Sequence, residues 1–426
     1  MAGVGAAAWV TPTNTDELSG PGRPLKILFL TPRPPDRCFQ GYRIRAYHQL
    51  RILGRRHRIT LISFADPRAA GPLPSACAEF CERVVIVPLS RRRMAVSLLR
   101  RSFSHVPLQS AIYAAPAMRR AIRDALTREA FDLVHVQLAR MAPYLPDVAS
   151  ARRVVDLVDA LSLNMERRYR HDRGLSRWVA YVESRRLRRY EQTICATADC
   201  AMVGSPADCR AIGSPARLAT VTSGVDPREF PFRREGREND TVIFSGNMRY
   251  FSNVHAVLWF SASVWPLLKR MVPAARFHVV GAWPARAVRR LAEQDPSITV
   301  SGLVEHVHPC LSRATLAVAP LWSGSGQQLK VLEAMASGTP VVATALAADS
   351  IEARHGEHLL VADDPEAFAQ CIAHLLRDPA AADHLAENGR RFVEDRYTWE
   401  HAAAQLETIY RCVTGGGPVF PGPGGD

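Results

Sequence analysis

No apolar run in this chain reaches the roughly eighteen residues that a membrane-spanning helix needs, so a helical integral membrane protein is not expected. The first residues, Met1 to Arg23, place no basic residue ahead of their short apolar stretch. A secretory signal is therefore not expected either; a disordered leader over 1–24 is, and with it a cytoplasmic location. None of the nine cysteines forms a CxxC pair. Cys77 and Cys81 come closest, at helical spacing and without further soft ligands nearby, so buried reduced thiols fit better than a metal centre. Without a DxD motif or a cluster of metal-ligating residues, the chain is expected to hold no metal and no cofactor. Acidic residues are outnumbered, leaving a net charge of +13 that arginine supplies. No nucleic-acid-binding motif accompanies that charge, and nucleic acid is not an expected partner.

The basic residues fall in two concentrations. Arg91, Arg92 and Arg93 precede the apolar stretch Met94–Leu99, which Arg100 and Arg101 close. Arg167, Arg168, Arg170, Arg173 and Arg177 form the second group, continued by Arg185, Arg186, Arg188 and Arg189. Basic residues beside apolar ones suit an anionic membrane surface, here the inner face of the cytoplasmic membrane. A merely solvated basic face explains them as well.

Short apolar runs alternate with longer helical patterns. Lys26–Thr31, Ile59–Phe64, Val84–Val87, Leu133–Val136 and Val154–Val158 read as buried strands, with helices such as Arg43–Arg56 and Pro116–Glu129 between them. Strand and helix in strict succession imply a parallel sheet covered on both faces. The polar, proline-broken stretch Pro227–Asp240 reads as a linker. The alternation then resumes at Thr241–Ser245, Arg276–Val280, Ile298–Ser301, Leu316–Ala319 and Pro340–Thr344. The expected organisation is a first α/β domain over 25–230, a second over 241–395, a returning helix over 396–413 and a disordered tail over 414–426. Ligands of open parallel sheets bind at the carboxyl ends of the strands, so the cleft between two such domains is the expected site.

Leu316 to Thr344 is the most informative stretch. A strand ending at Pro320 runs into Ser323-Gly324-Ser325-Gly326, and a helix is expected from near Gln327. Glycines let backbone approach a phosphate, and free N–H groups at a helix start attract anions. Lys330 can reach a diphosphate from the first turns of that helix. Glu333, three residues on, shares its face and can accept from two ribose hydroxyls.

This segment resembles the donor-binding signature of GT-B-fold glycosyltransferases, especially glycosyltransferase family 4. The resemblance implies two doubly wound Rossmann-like domains facing across a cleft, with a nucleotide-diphosphate sugar as co-substrate. Many family members carry two glutamates seven residues apart; the first of those positions holds Ser325 here, and backbone N–H groups around Ser325 and Gly326 could substitute. Thr241–Asn253 is similar to the opening strand and loop of the donor domain, which implies donor contacts from Gly246, Asn247 and Arg249; Arg249 is the one cation of that loop. Gly302-Leu-Val304-Glu305 looks like the loop that carries the nucleobase. On the acceptor side, Gly41 matches a glycine that meets the phosphates, and Arg43 and Arg45 could address an anionic, lipid-linked acceptor or serve only as helix-surface charge. Asp159 stands where many retaining relatives have a histidine; it could stabilise the transferred sugar or cap the next helix. His135 ends a strand at the cleft, as a site residue or a satisfied core histidine. The Val-Asp-x-Val-Asp-Ala and Ser-Gly-Asn-Met motifs most resemble sugar transferases of exosortase and extracellular-polysaccharide systems.

The implied activity is a retaining, hexosyltransferase-like transfer to a lipid-linked or polysaccharide acceptor in exopolysaccharide synthesis. Asp159, Lys330 and Glu333 would be catalytic, and Gly324, Ser325, Gly326, Gln327 and Val304 would join the donor site. Two rivals use the same fold. A sugar-nucleotide epimerase would need a cleft set of acid and base residues. A degenerate transferase would be a membrane-associated binding subunit.

Overall fold

The computed structural model describes residues 23–36, 40–65, 75–89, 107–171, 174–213, 216–233 and 235–415. Residues 1–22 of the expected leader, the Arg91–Arg101 stretch, Arg173 and the tail beyond Gly415 lie outside the described residues.

Two parallel sheets form the frame. The first contains β1 (Lys26–Thr31), β2 (Arg58–Phe64), β3 (Arg83–Val87), β4 (Leu133–Gln137), β5 (Arg152–Val158), β6 (Cys200–Val203) and β7 (Leu218–Thr220). Their spatial order is β3-β2-β1-β4-β5-β6-β7, every neighbouring pair parallel. The second contains β8 (Thr241–Ser245), β9 (Arg276–Val280), β10 (Ile298–Gly302), β11 (Leu316–Ala319), β12 (Val341–Ala343) and β13 (Leu360–Val361), in the order β10-β9-β8-β11-β12-β13, again all parallel. Strand order reverses between β1 and β4 and between β8 and β11, the topological switch points where doubly wound sheets open a crevice. The expected fold class is thus the observed one.

The strands are apolar on both faces because helices cover both. Ile27 to Leu30 of β1 are entirely buried, each such side chain worth about 1.5–3 kcal/mol. Strands β6 and β7 were not read from the sequence. At four and three residues they are too short to show a period, and burial against their neighbours makes them strands.

Seven helices matter to the site: α1 (Gly41–Leu53), α2 (Leu161–His171), α3 (Leu175–Thr197), α4 (Pro206–Ile212), α5 (Phe251–Trp259), α6 (Leu329–Ala336) and α7 (Trp399–Gly415). α7 crosses back to the first sheet. Its Leu406, Ile409, Tyr410 and Val413 complete one core layer with Ile27, Phe29, Leu50 and Val154. The two crossings of the chain touch where Val225 N–H donates to Tyr397 C=O at 2.8 Å. Gly224 is required there, since a Cβ on it would lie 2.4 Å from the Thr398 carbonyl carbon.

Candidate active site

β5 delivers the first candidate side chain by breaking its own regularity. Its register with β6 shifts between Asp156 and Val158, and Val158 adopts φ +67°, rare for a β-branched residue. The Asp156 carboxylate supports the turn by accepting from Val158 N–H at 3.0 Å. Asp159 is thereby carried to the cleft, where its Oδ2 accepts from Ser325 Oγ of the opposite sheet at 2.7 Å. Burial, with the Asp208 carboxylate as the second cause, pushes the Asp159 carboxyl up to about 6.

The Ser323–Gln327 loop is gripped from the first sheet along its length. Gly326 N–H donates to both oxygens of Asp208 on α4, at 3.2 and 3.1 Å. Arg167 of α2 donates to Gly324 C=O, and the His171 ring lies 3.2 Å from Trp322 C=O. Ser223 N–H donates to Gln327 Oε1 at 2.6 Å. Gly326 has φ +72°, and a Cβ there would stand 3.0 Å from that of Asp159. A side chain would therefore hold the two sheets apart.

These contacts alter three expectations. The helix begins at Leu329 rather than near Gln327, because the left-handed Gly326 and the cross-cleft tie of Gln327 keep the chain extended that far. The Gly326 amide, expected to be open to a phosphate, is held by Asp208. Gln327 joins the two domains through its side chain.

Lys330 and Glu333 lie on one face of α6, as their spacing requires. Lys330 Nζ donates to Asn253 Oδ1 of α5 and sits 4.9 Å from the centre of the Phe244 ring. Burial pulls this ammonium down to about 7, with Glu333 opposing the shift. Burial likewise pushes Glu333 up to about 7, and Lys330 restrains it. Glu333 opens on a cleft of about 500 Å³ whose walls include Ile44, His48, Val307, Leu329 and Trp399. His48 and Trp399 stack there, ring centres 4.3 Å apart, so that wall comes from α1 and the start of α7.

The β8–α5 loop is built around Asn253, which donates to Asn247 C=O at 2.8 Å. Its amide fills the space above Gly246, 2.8 Å from where a Cβ would be. The glycine is thus explained by Asn253, without a phosphate. Asn247 Oδ1 accepts from Arg249 N–H at 3.0 Å. The exposed Arg249 guanidinium lies over the Trp283 ring at 3.7 Å. Val304 is partly buried against the second core, on the loop next to the residues that line the cleft.

The acceptor-side expectations are largely overturned. Arg45 is 1% exposed, its Nε donating to Asp156 Oδ2 at 2.7 Å and its Nη1 to Ser223 Oγ at 3.1 Å. A buried ion pair of this kind holds α1 on β5 and cannot turn to an acceptor. Arg43 pairs with Asp36 and donates to Pro34 C=O at 2.8 Å, so it shapes the β1–α1 loop. Gly41 opens α1 beside Leu329, where a Cβ would make only an ordinary 3.8 Å contact. His135 is wholly buried, stacked on Phe29 at 4.0 Å and bonded through Nδ1 to Tyr410 Oη at 2.6 Å. Burial pulls it down to about 4, so it stays neutral as a core residue.

Sequence reasoning missed Asp208, Arg167 and His171. Asp208 had a legible signal: Ser205-Pro-Ala-Asp208 is a capping pattern, and Ser205 Oγ accepts from Asp208 N–H at 3.2 Å. Nothing local marks Arg167 or His171, whose partners lie more than a hundred residues away. Among the described residues no cysteine forms a disulfide, no His, Cys, Asp and Glu group could hold a metal ion, and no helix is long and apolar enough to cross a membrane.

A family model described as glycosyl transferases group 1 matches residues 239–378, which include β8, the Ser323–Gln327 loop, Lys330 and Glu333. A D-inositol 3-phosphate glycosyltransferase of Corynebacterium urealyticum is 28% identical over 272 residues, 57% of this chain and 62% of that protein. The chain spans about half the length of the curated relatives it matches, between 38% and 62% for the first of them. Sucrose-phosphate synthase of Thermosynechococcus elongatus superposes with a TM-score of 0.68 at 18% identity, over 92% of this chain and 100% of that one. Anabaena HepE, solved in complex with UDP and glucose, superposes with a TM-score of 0.64 at 14% identity, over 90% and 98%. Sheet topology and superpositions agree on a GT-B-like fold of two doubly wound sheets, and residues 239–378 within it match the glycosyl transferases group 1 model.

Proposed function

We propose that the protein is a glycosyltransferase that takes a sugar from a nucleotide-diphosphate donor. The observation that carries this reading is the placement of Lys330 and Glu333 on one face of α6, behind the Ser323–Gln327 loop and opposite Asp159. Lys330 would neutralise the donor diphosphate, and Glu333, open to the cleft, would accept from the ribose hydroxyls. Asp159 would stabilise positive charge at the anomeric carbon once ionised. The leaving phosphate would receive the acceptor proton as the glycosidic bond forms. HepE, solved with UDP, has the same fold, which supports a nucleotide sugar as the partner. Retention of configuration, a lipid-linked or polysaccharide acceptor, and a place in exopolysaccharide synthesis extend this reading and rest on the likeness of motifs.

A second reading has one observation in its favour. Asp208 already holds the Gly326 amide, as it would in a transferase that had become a binding subunit. A thermal-shift panel of UDP, GDP, ADP, dTDP and their sugar conjugates separates the two. A ligand at a hundred times its Kd adds about 2.7 kcal/mol of apparent stability. A shift with one nucleotide, lost in Glu333→Ala and followed by sugar transfer or donor hydrolysis that Lys330→Ala abolishes, supports the enzyme. No shift with any nucleotide overturns it.

A further inference from the structure

α3 has two apolar faces, and among the described residues only one is covered. Leu187 and Ile194 point into the first core, and Ala180 is buried on the same side. On the other side Leu175, Trp178, Val179 and Val182 are 80%, 67%, 49% and 42% exposed. Their spacing of i, i+3, i+4 and i+7 puts them in one stripe. Scattered exposed apolar residues need no explanation, but a cluster does. Four of the seven large exposed hydrophobics among the described residues lie in these two turns.

The same face continues by helical spacing into Arg185, Arg186 and Arg189. Arg185 stacks over Tyr181, and neither Arg185 nor Arg189 has a carboxylate partner among the described residues. From Leu175 to Arg189 the stripe is about 20 Å long. Nine arginines against four acids in 161–197 give the α2–α3 hairpin a strongly positive field. The hairpin also reaches the site, because Arg167 and His171 of α2 hold the Trp322–Gly324 backbone just before α3 begins.

We propose that this outward face of α3 seats the protein on an anionic lipid surface, with Trp178 and its apolar neighbours at the headgroup boundary and the arginines on the phosphates. Tryptophan suits that boundary, where one edge is apolar and the other wet. Charge argues for lipid over a second copy of the chain, since the exposed stripe from Leu175 to Arg189 carries arginines and no carboxylate, so a copy laid on it would offer those arginines no anionic partner. The cleft mouth would then lie beside the bilayer, within reach of an acceptor anchored in it. The inference stands apart from the donor site.

The test is co-sedimentation of the full chain with vesicles of phosphatidylcholine alone or with about a third phosphatidylglycerol. Binding is expected only to the anionic vesicles. It should fall about tenfold or more in the Trp178→Asp/Val182→Asp double variant. In Arg185→Gln and Arg189→Gln it should fall about five-fold per arginine. All these positions are exposed, so thermal midpoint and nucleotide-induced shift should match the unmodified protein. Binding that ignores lipid charge, or that survives the α3 substitutions, overturns the proposal. So does self-association that Trp178→Asp abolishes in sedimentation velocity, with no vesicle binding. Loss of the nucleotide shift with α3-dependent vesicle binding intact would sink the donor reading alone.

Discussion

Donor binding should take up a proton through Lys330. In the ligand-free site its ammonium is enclosed by Phe244 and Asn253, and burial has brought it down to about 7. A diphosphate within about 4 Å would return it towards the usual lysine range, above about 10. The bound state then holds the proton more tightly than the free state, so binding is strongest below pH 7 and weakens as pH rises through it. Between pH 7 and pH 9 the charged fraction of the free lysine falls from about a half to about a hundredth, and affinity should fall about 50-fold. A nucleotide sugar is the right ligand, because its diphosphate does not titrate in that window. Calorimetry at pH 8 in buffers of different ionisation enthalpy should count about 0.9 proton taken up. Glu333 titrates over the same range, so the uptake should persist in Glu333→Gln and vanish in Lys330→Met. A flat affinity from pH 7 to 9 with no proton uptake would refute the assignment of Lys330 to the diphosphate.

Three other predictions concern the frame. Asp159→Asn should stabilise the fold at pH 7.5 by about 3 kcal/mol. The raised carboxyl favours the folded state below the unfolded value near 4, and that advantage is lost as pH climbs through about 6. The variant should flatten this part of the stability profile, and an unchanged urea midpoint at pH 7.5 would count against it. Tyr410→Phe leaves His135 Nδ1 buried without its partner and should cost about 1–3 kcal/mol in chemical denaturation, with donor KM unaffected. A changed KM would restore His135 to the site. Gly224→Ala places a methyl 2.4 Å from the Thr398 backbone, which cannot retreat while Val225 is bonded to Tyr397. A loss of about 3 kcal/mol or more is expected, and an unchanged thermal midpoint would contradict the crossing.

Most strands were legible in the sequence because each is a bounded run buried on both faces. β1, β8, β9 and β11 have the limits their apolar runs suggest. The donor-side motif was legible for a similar reason: loop, lysine and glutamate are neighbours in sequence, so local spacing carries their geometry. Arg45 misled because a polar residue early in a helix reads as exposed, whereas His135, mid-way along β4, takes the core role that its apolar strand also allowed. Their burial depends on Asp156 and Tyr410, 111 and 275 residues away. The grip of Asp208 and Arg167 on the Ser323–Gln327 loop escaped likewise, since it exists only once the two sheets face each other.

The return of α7 has a consequence for how the molecule is made. β1, β4 and β5 emerge early from the ribosome, but the layer behind them stays open until Leu406, Ile409 and Tyr410 arrive. At translation speeds of about 5–20 residues per second, His135 waits roughly 14–55 s for the hydroxyl that pairs with it. The second sheet has no such debt to later sequence beyond residue 397 and can condense while the first is still ajar. The half of the protein that begins synthesis is therefore the half that finishes folding last, and a nascent chain stalled short of α7 should present its apolar strands to chaperones.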